Sequence, residues 1–177
     1  MKTKRRPPAS TKRARLLRRN VKIFISHSTR DASLVELIVD LLKASDLQEE
    51  EIRCTSVHRH GLPIGAKIAD VLRSDIEECE IIIAVLTKDA LDSLNVLLEL
   101  GAGWGLDKRL VPITGPGIHL EGLPQWLSEK HGMRWDHKEC WEDFDRDVFR
   151  PLGKTLKYKK RFRGTIEKLI KWRPIES

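Results

Sequence analysis

The chain has 177 residues, of which 40% are hydrophobic and 33% are charged, so it can form one domain with an apolar core but not two packed enzyme domains. Residues 1–20 hold nine Lys/Arg and no acid, and residues 151–177 hold nine Lys/Arg against two acids. Residues 21–150 carry 15 basic and 24 acidic side chains, so the formal charge of +7 belongs to the two ends. The basic isoelectric point therefore does not predict a nucleic-acid-binding or membrane-binding face on the domain itself.

Neither a membrane span nor a disulfide framework is expected. No run approaches the roughly 18 uninterrupted apolar residues of a transmembrane helix, and the most hydrophobic stretch, at 81–86, has the length of a strand. The three cysteines are odd in number and widely spaced, which favours a reducing compartment. We expect a soluble cytoplasmic domain at 21–150, a disordered basic arm at 1–20, and a basic helix at 151–177 that packs on the domain.

The apolar pattern alternates between strands and helices. Residues 21–26 form a short apolar run typical of a buried strand, and the apolar residues of 31–43 recur every three or four positions, as on one face of a helix. The later predicted elements are a strand at 51–55, a helix at 66–74, a strand at 80–87, a helix at 93–106, strands at 109–113 and 132–136, and a closing amphipathic helix around 162–170.

This alternation predicts a parallel sheet with helices on both faces. Five strands in one such domain match the flavodoxin-like α/β fold, a three-layer sandwich in which ligands bind outside the C-terminal ends of strands one and three. The loops to inspect are those at 26–30 and 87–92. The first contains no glycine-rich phosphate loop, and strand three does not end in an aspartate, so Rossmann-type dinucleotide binding and a phospho-receiver domain are both disfavoured.

Three segments, in the right order, resemble the Toll/interleukin-1 receptor (TIR) domain of the bacterial type. Residues 23–28 (IFISHS) are similar to the family's opening strand and loop, and residues 53–65 (RCTSVHRHGLPIG) to its second strand and the long loop that follows. Residues 93–104 (SLNVLLELGAGW) resemble its third helix, which carries a catalytic glutamate. The family often has an aromatic residue and a cysteine where this chain has Asn95 and Val96.

The resemblance implies an activity as well as a fold. Many TIR domains of this type cleave the bond between nicotinamide and ribose in NAD+, releasing nicotinamide with ADP-ribose or a cyclic ADP-ribose. It implies that Glu99 is the catalytic carboxylate, that NAD+ is the substrate with no further cofactor, and that TIR self-association activates the enzyme. The expected setting, by analogy, is bacterial antiphage immune signalling with a separate sensor or effector protein.

Glu99 is also the most informative residue on chemical grounds. Cleavage of an N-glycosidic bond builds positive charge on the ribose carbon, and a fixed carboxylate beside that carbon stabilises it or attacks it. The helical neighbours of Glu99 are Asn95, Val96, Ala102 and Gly103, which are mostly small and predict a recess beside the carboxylate. The alternative is an ordinary helix glutamate with its head group in solvent.

Polar side chains after the first predicted strand face the expected crevice. The hydroxyl of Ser26 and the imidazole of His27 can bind ribose or phosphate oxygens, and Arg30 can pair with a pyrophosphate. Ser93 and Trp104 stand at the two ends of the third resembling segment and complete the expected substrate site. Trp104 can stack on nicotinamide or a nucleobase, although a tryptophan there is more often a core residue. A serine or threonine ahead of the first helix can instead serve as its cap.

The loop at 58–65 resembles the long TIR loop, which serves as both lid and assembly contact. We assign substrate binding to Arg59 and Gly61, and assembly to His58, His60, Pro63 and Gly65. The alternative is a long connection without a role. No metal is expected, because the loop histidines lack a nearby carboxylate or cysteine, and His137 with Cys140 supplies only two of the usual four zinc ligands.

Two other functions stay open. A non-enzymatic TIR scaffold would join partner TIR domains through the 58–65 loop and would not need Glu99. A nucleoside deoxyribosyltransferase-like enzyme shares the topology and uses a glutamate nucleophile, but it would leave NAD+ untouched. Nucleic acid is not expected as a partner, because the basic residues at 154–163 are better explained as the solvated face of a packed helix.

Overall fold

A computed structural model describes residues 20–54 and 68–173. Within them, five parallel strands form one sheet in the order β2-β1-β3-β4-β5. The strands are β1 (Ile23–Ser26), β2 (Ile52–Cys54), β3 (Ile81–Leu86), β4 (Arg109–Thr114) and β5 (Met133–Arg134). This order is the flavodoxin-like arrangement, so the predicted fold class is confirmed.

Helices cover both faces of this sheet. They are α1 (Ala32–Leu42), α2 (Ile68–Glu78), α3 (Lys88–Leu91), α4 (Leu94–Gly105), α5 (Gln125–Ser128), α6 (Lys138–Glu142) and α7 (Lys159–Leu169). The second helix ends four residues later than predicted, at Glu78. The short helices α3, α5 and α6 were not predicted, because four or five residues are too few to show a helical period.

The neighbouring strands β1 and β3 are buried along their whole length, because helices cover both faces of the sheet there. Alternate side chains of β1 therefore enter separate apolar clusters. Ile23 and Ile25 pack in the cluster that contains α1 and α7, and Phe24 packs with Ile82 in the cluster that contains the buried side of α4. Burial on both faces explains why the sequence shows continuous apolar runs at these strands rather than alternation.

The C-terminal helix α7 packs on α1 through Phe162, Ile166 and Leu169 and leaves its basic side chains outside. Just before it, Nζ of Lys154 lies 2.7 Å from Oε2 of Glu51, and both side chains are largely buried. None of the helices in 20–54 or 68–173 is long and apolar enough to cross a membrane. The predicted basic arm lies, except for its last residue, outside the described residues.

Candidate active site

The predicted crevice lies where β1 and β3 end side by side and their connections leave in opposite directions. Ser26 is the last residue of β1 and is fully buried. Its hydroxyl donates a hydrogen bond to Oε2 of Glu99 on α4, at 2.7 Å. The fold thus brings together two of the predicted site residues, which are 73 positions apart in the chain.

Two local features place α4 so that Glu99 reaches β1. Ser93 is the N-cap, and its Oγ accepts a hydrogen bond from the backbone N–H of Val96 at 3.5 Å. At Gly103, an added Cβ would overlap the side chain of Ile82, so the absence of a side chain lets the helix lie close against β3. The visible role of the Ser93 hydroxyl is therefore capping, and its role in substrate binding stays a prediction.

The acidity of Glu99 is strongly perturbed. Burial raises its pKa to about 7, and the hydrogen bond from Ser26 partly opposes that rise. No cation within 20–54 or 68–173 contributes to this shift. A carboxylate that is largely buried at a crevice without a cation of its own is electrostatically suited to a positively charged ligand or transition state.

Glu99 lines a groove of about 440 Å³ between α2 and α4. This volume lies within the usual range of small-ligand sites. The other lining residues are Leu72, Arg73, Ile76, Glu77, Leu98, Ala102 and Leu106. The small side chain of Ala102, one turn after Glu99, gives the carboxylate the open neighbourhood expected from the sequence.

Arg73 is a residue of this groove that the sequence pattern did not reveal. Its Nε lies 3.0 Å from Oε1 of Glu77, one helical turn later, and its side chain is mostly exposed. In a sequence, this spacing is the ordinary pattern of a surface ion pair, so no signal separates Arg73 from other helix arginines. Only the packing of α2 beside α4 brings this cation to the groove of Glu99.

His27 follows Ser26 and is buried, with Nδ1 3.1 Å from the backbone oxygen of Ile25. Burial lowers the pKa of the imidazole, and the backbone contact only partly opposes this. The ring is therefore neutral at pH 7. It supplies no positive charge for a phosphate.

Two contacts tie the connection after β1 to the connection after β3. Nη1 of Arg30 lies 2.8 Å from Oδ1 of Asp89, so the partner of this arginine in the structure is a carboxylate of the same chain. Thr87 donates a hydrogen bond to Oδ2 of Asp31 at 2.7 Å, and both side chains are buried. The hydroxyl of Ser28 accepts the N–H of Arg30 at 3.3 Å, as in the capping alternative.

Trp104 is not brought to the hydrogen bond between Ser26 and Glu99. It lies five residues after Glu99 and thus about 7 Å further along the helix axis. Its side chain is 55% exposed, so the expectation of a core tryptophan is wrong. The ring packs instead against Trp126 of α5, with ring centroids 5.9 Å apart. A role for Trp104 in substrate stacking stays a prediction.

The loop residues His58, Arg59, His60, Gly61, Pro63 and Gly65 lie outside the described residues, and their assigned roles stay predictions. In the described part of the chain, no three His, Cys, Asp or Glu side chains lie close enough together to hold a metal ion. A further cavity of about 540 Å³ lies beside the N-terminal ends of β4 and β5 and contains none of the predicted site residues.

Comparisons with known proteins agree with this geometry. A family model described as TIR domain matches residues 23–150. The uncharacterized protein YddK of Bacillus subtilis (strain 168) is 34% identical over 100 residues, which cover 56% of this chain and 38% of the relative. The TIR domain of the Toll-related receptor TRR-2 from Hydra magnipapillata aligns with a TM-score of 0.55 at 22% identity, covering 73% of this chain and 95% of that one.

These matches carry different weights. The Hydra domain shows a shared fold only, because its identity to this chain is low. The chain spans little more than a third of the Bacillus relative, 38% of its length. The family model, by contrast, covers most of the chain and includes the strand that ends at Ser26 and the helix that carries Glu99. On the strength of this match and of the observed strand order, the chain belongs to the TIR domain family.

Proposed function

We propose that this TIR domain cleaves the bond between nicotinamide and ribose in NAD+, with Glu99 as the catalytic carboxylate. The observation that supports this most directly is the hydrogen bond from Ser26 to Glu99. It holds a largely buried carboxylate in one position at the strand ends where ligands bind in flavodoxin-like folds. The products are nicotinamide with ADP-ribose or a cyclic ADP-ribose.

The proposed reaction needs a stabilised cation more than it needs an acid. Nicotinamide leaves as a neutral ring and takes the electron pair of the glycosidic bond, so positive charge develops on C1′ and the ring oxygen of the ribose. The ionised Glu99 carboxylate stabilises that charge. Water then attacks C1′ and loses a proton to give ADP-ribose, or a ring nitrogen of the adenine attacks to give the cyclic product.

The raised pKa of Glu99 supports this role. The nicotinamide ring of NAD+ is positively charged, and a nearby positive charge favours the ionised form of a carboxyl group. Substrate binding is therefore expected to lower the pKa of Glu99 from about 7, so that the carboxylate is charged when it is needed. Burial strengthens the attraction, because the surroundings screen charge less than water does.

The rest of the groove offers partners for the remainder of the substrate. Leu72, Ile76 and Leu98 give it apolar walls that can pack against a ring. The guanidinium of Arg73 is paired with Glu77 at the surface and is mostly exposed, so it can turn to a phosphate. An apolar groove that has the Glu99 carboxylate on one wall and the Arg73 guanidinium, paired with Glu77, on the other offers partners to a dinucleotide that carries both a cationic ring and a pyrophosphate.

We also propose that self-association controls the activity and that the protein acts in the cytoplasm in bacterial immune signalling. An enzyme that consumes NAD+ must be restrained until a trigger arrives, and assembly of TIR domains is a means of restraint that depends on protein concentration. A separate sensor or effector protein would supply the trigger. NAD+ is the substrate in this scheme, and no further cofactor or metal takes part.

The test is nicotinamide release from NAD+ by the full chain held at high density on beads. We expect release by the wild type and a decrease of about a hundredfold or more in Glu99→Gln, because an amide cannot carry the stabilising negative charge. Glu36→Gln is the matched control, since Glu36 is an exposed acid on α1, away from the groove. It should release nicotinamide like the wild type.

Three outcomes would contradict the proposal in different ways. Equal release by Glu99→Gln would move the chemistry to another residue. No release by the wild type, with self-association intact, would favour the non-enzymatic scaffold. Base exchange on deoxynucleosides with NAD+ untouched would favour the deoxyribosyltransferase-like enzyme.

A further inference from the structure

The outer surface of α4 is unusually apolar for a surface helix. Six large apolar side chains are well exposed in the described part of the chain, and five of them are on α4 or at its C-terminal end. These five are Leu94, Leu97, Leu98, Trp104 and Leu106, with exposed fractions from 38% to 70%. Such a patch, on the order of 500 Å², is as large as the largest patches of ordinary monomers, which often mark an interaction site.

The patch has a regular centre. Leu94, Leu98, Gly101 and Gly105 follow one another at spacings of four, three and four residues, so they form one line along the helix, roughly 16 Å long. The buried residues of α4 lie on the opposite side, against the sheet. We call this line of two leucines and two glycines the α4 stripe.

The two glycines of the α4 stripe have no explanation within the domain. An added Cβ at Gly101 or at Gly105 would meet nothing within 4 Å, whereas one at Gly103 would overlap Ile82. Gly101 lies in the helix interior, where glycine is among the least favourable residues, and the internal packing requires a glycine only at Gly103. The other two glycines instead leave a shallow, open surface on which another helix can lie close.

We propose that the α4 stripe is an interface with the α4 stripe of a second copy of this chain. When two such helices cross in antiparallel directions about a two-fold axis, Leu94 and Leu98 of each copy lie over Gly105 and Gly101 of the other. The leucine half of the stripe protrudes, and the glycine half leaves space for side chains of a partner. The surface is therefore complementary to itself, as a two-fold interface requires.

Charge and area support a second copy as the occupant. Glu99 is the one charged residue of α4, and it is turned toward Ser26, so the stripe itself presents no charged side chain to a second copy. A partner selected by salt bridges would find no charged side chain on this stripe. The apolar patch is also large enough to form the centre of a standard interface, which covers about 800 Å² of each partner.

The pairing would also affect the groove that contains Glu99. The importance of this effect for activity rests on the function proposed above. Leu98 and Leu106 belong both to the exposed patch and to the wall of the groove that contains Glu99. A second α4 lying on the patch covers one side of that groove. Assembly and the environment of the carboxylate are therefore coupled through shared side chains, while the pairing itself does not depend on any activity toward NAD+.

Sedimentation equilibrium of the full chain without NAD+ tests the pairing. We expect a reversible dimer for the wild type and, for Leu94→Glu, a dissociation constant at least about tenfold higher, because the interface would bury two unpaired carboxylates. Leu94 is the first residue of α4, where an acid suits the helix dipole, so the variant should fold normally. Tyr158→Gln, which removes the exposed aromatic side chain outside the patch, should dimerise like the wild type.

A second variant keeps the test independent of folding. Gly101→Gln places a good helix former where there is room for it, so the isolated domain should melt at a higher temperature while the dimer weakens. A monomeric wild type, or a dimer that survives both α4 substitutions, would overturn the proposal. Nicotinamide release is measured separately, so a dimer without activity would refute the proposed function and leave the interface standing.

Discussion

Two carboxylates in neighbouring helices of this domain, one buried and one partly buried, have opposite electrostatic surroundings. Asp75 on α2 lies 2.7 Å from Nε of Arg53 on β2, and both side chains are almost fully buried. Glu99 on α4 has the Ser26 hydroxyl as its partner, and no cation of the described residues shifts its pKa. The charge of Asp75 is already compensated, so that residue serves the fold. The charge of Glu99 is not compensated, so it is available to a cationic ligand.

The largest effect on stability should come from breaking the buried ion pair between Arg53 and Asp75. Arg53→Met leaves the buried carboxylate of Asp75 without its cation, which we expect to lower the free energy of unfolding by about 3–5 kcal/mol. Urea titration would measure the loss. The double variant Arg53→Met with Asp75→Leu should recover most of it, because both charges are then gone. A double variant as unstable as the single one would show that the pair matters for shape rather than charge.

The uncompensated carboxylate should instead make stability depend on pH. The pKa of Glu99 is about 7 in the folded state against an ordinary 4.5, so the folded state holds the proton more strongly. The protonated residue contributes its full stability below about pH 4.5, and this contribution, up to about 3 kcal/mol, is lost as the pH rises to 7. Unfolding of wild type and Glu99→Gln across this range would measure it. A constant difference between the two proteins would contradict the raised pKa.

A smaller effect on stability should come from removing the Ser26 hydroxyl, which is hydrogen-bonded to Glu99. Burial raises the pKa of Glu99, and the hydrogen bond from Ser26 partly opposes that shift. Ser26→Ala removes this hydrogen bond, so the pKa of Glu99 should move above its wild-type value. The expected loss of stability is about 1 kcal/mol. Carboxyl ¹³C NMR of labelled glutamate would follow the titration. Ser128→Ala, which removes a hydroxyl that donates to the backbone oxygen of Gln125, should leave the Glu99 signal in place.

The smallest effect on stability should come from Arg73, the exposed counterpart of Arg53. Its pair with Glu77 is open to solvent, so Arg73→Ala should change the free energy of unfolding by no more than about 0.5 kcal/mol. If the arginine binds a phosphate of NAD+, the KM for nicotinamide release should rise while unfolding is unchanged. An unchanged KM would remove Arg73 from the substrate site and confine it to the surface.

Local sequence patterns predict much of the fold but only part of the candidate site. The strands ending at Ser26 and Leu86 are apolar runs, so their place in the sheet was predictable. Trp104 was assigned to the substrate site with a core position as the alternative, and the core alternative is wrong: the side chain is more than half exposed, because its position around α4 turns it from the sheet toward Trp126. Arg73 gave no signal at all, since its neighbours in sequence already explain it as a surface residue.

By itself, the sequence determined the alternation of the strands with the longer helices and the flavodoxin-like class, because both rest on periodicity. The catalytic role of Glu99 rests on the resemblance of residues 93–104 to the TIR family and stays a prediction. Only the tertiary structure decided which carboxylate is compensated. Arg53 reaches Asp75, and Ser26 reaches Glu99, through contacts between elements that are far apart in the chain. The acidity of a buried group depends on what surrounds it in space, and residue spacing along a chain does not contain that information.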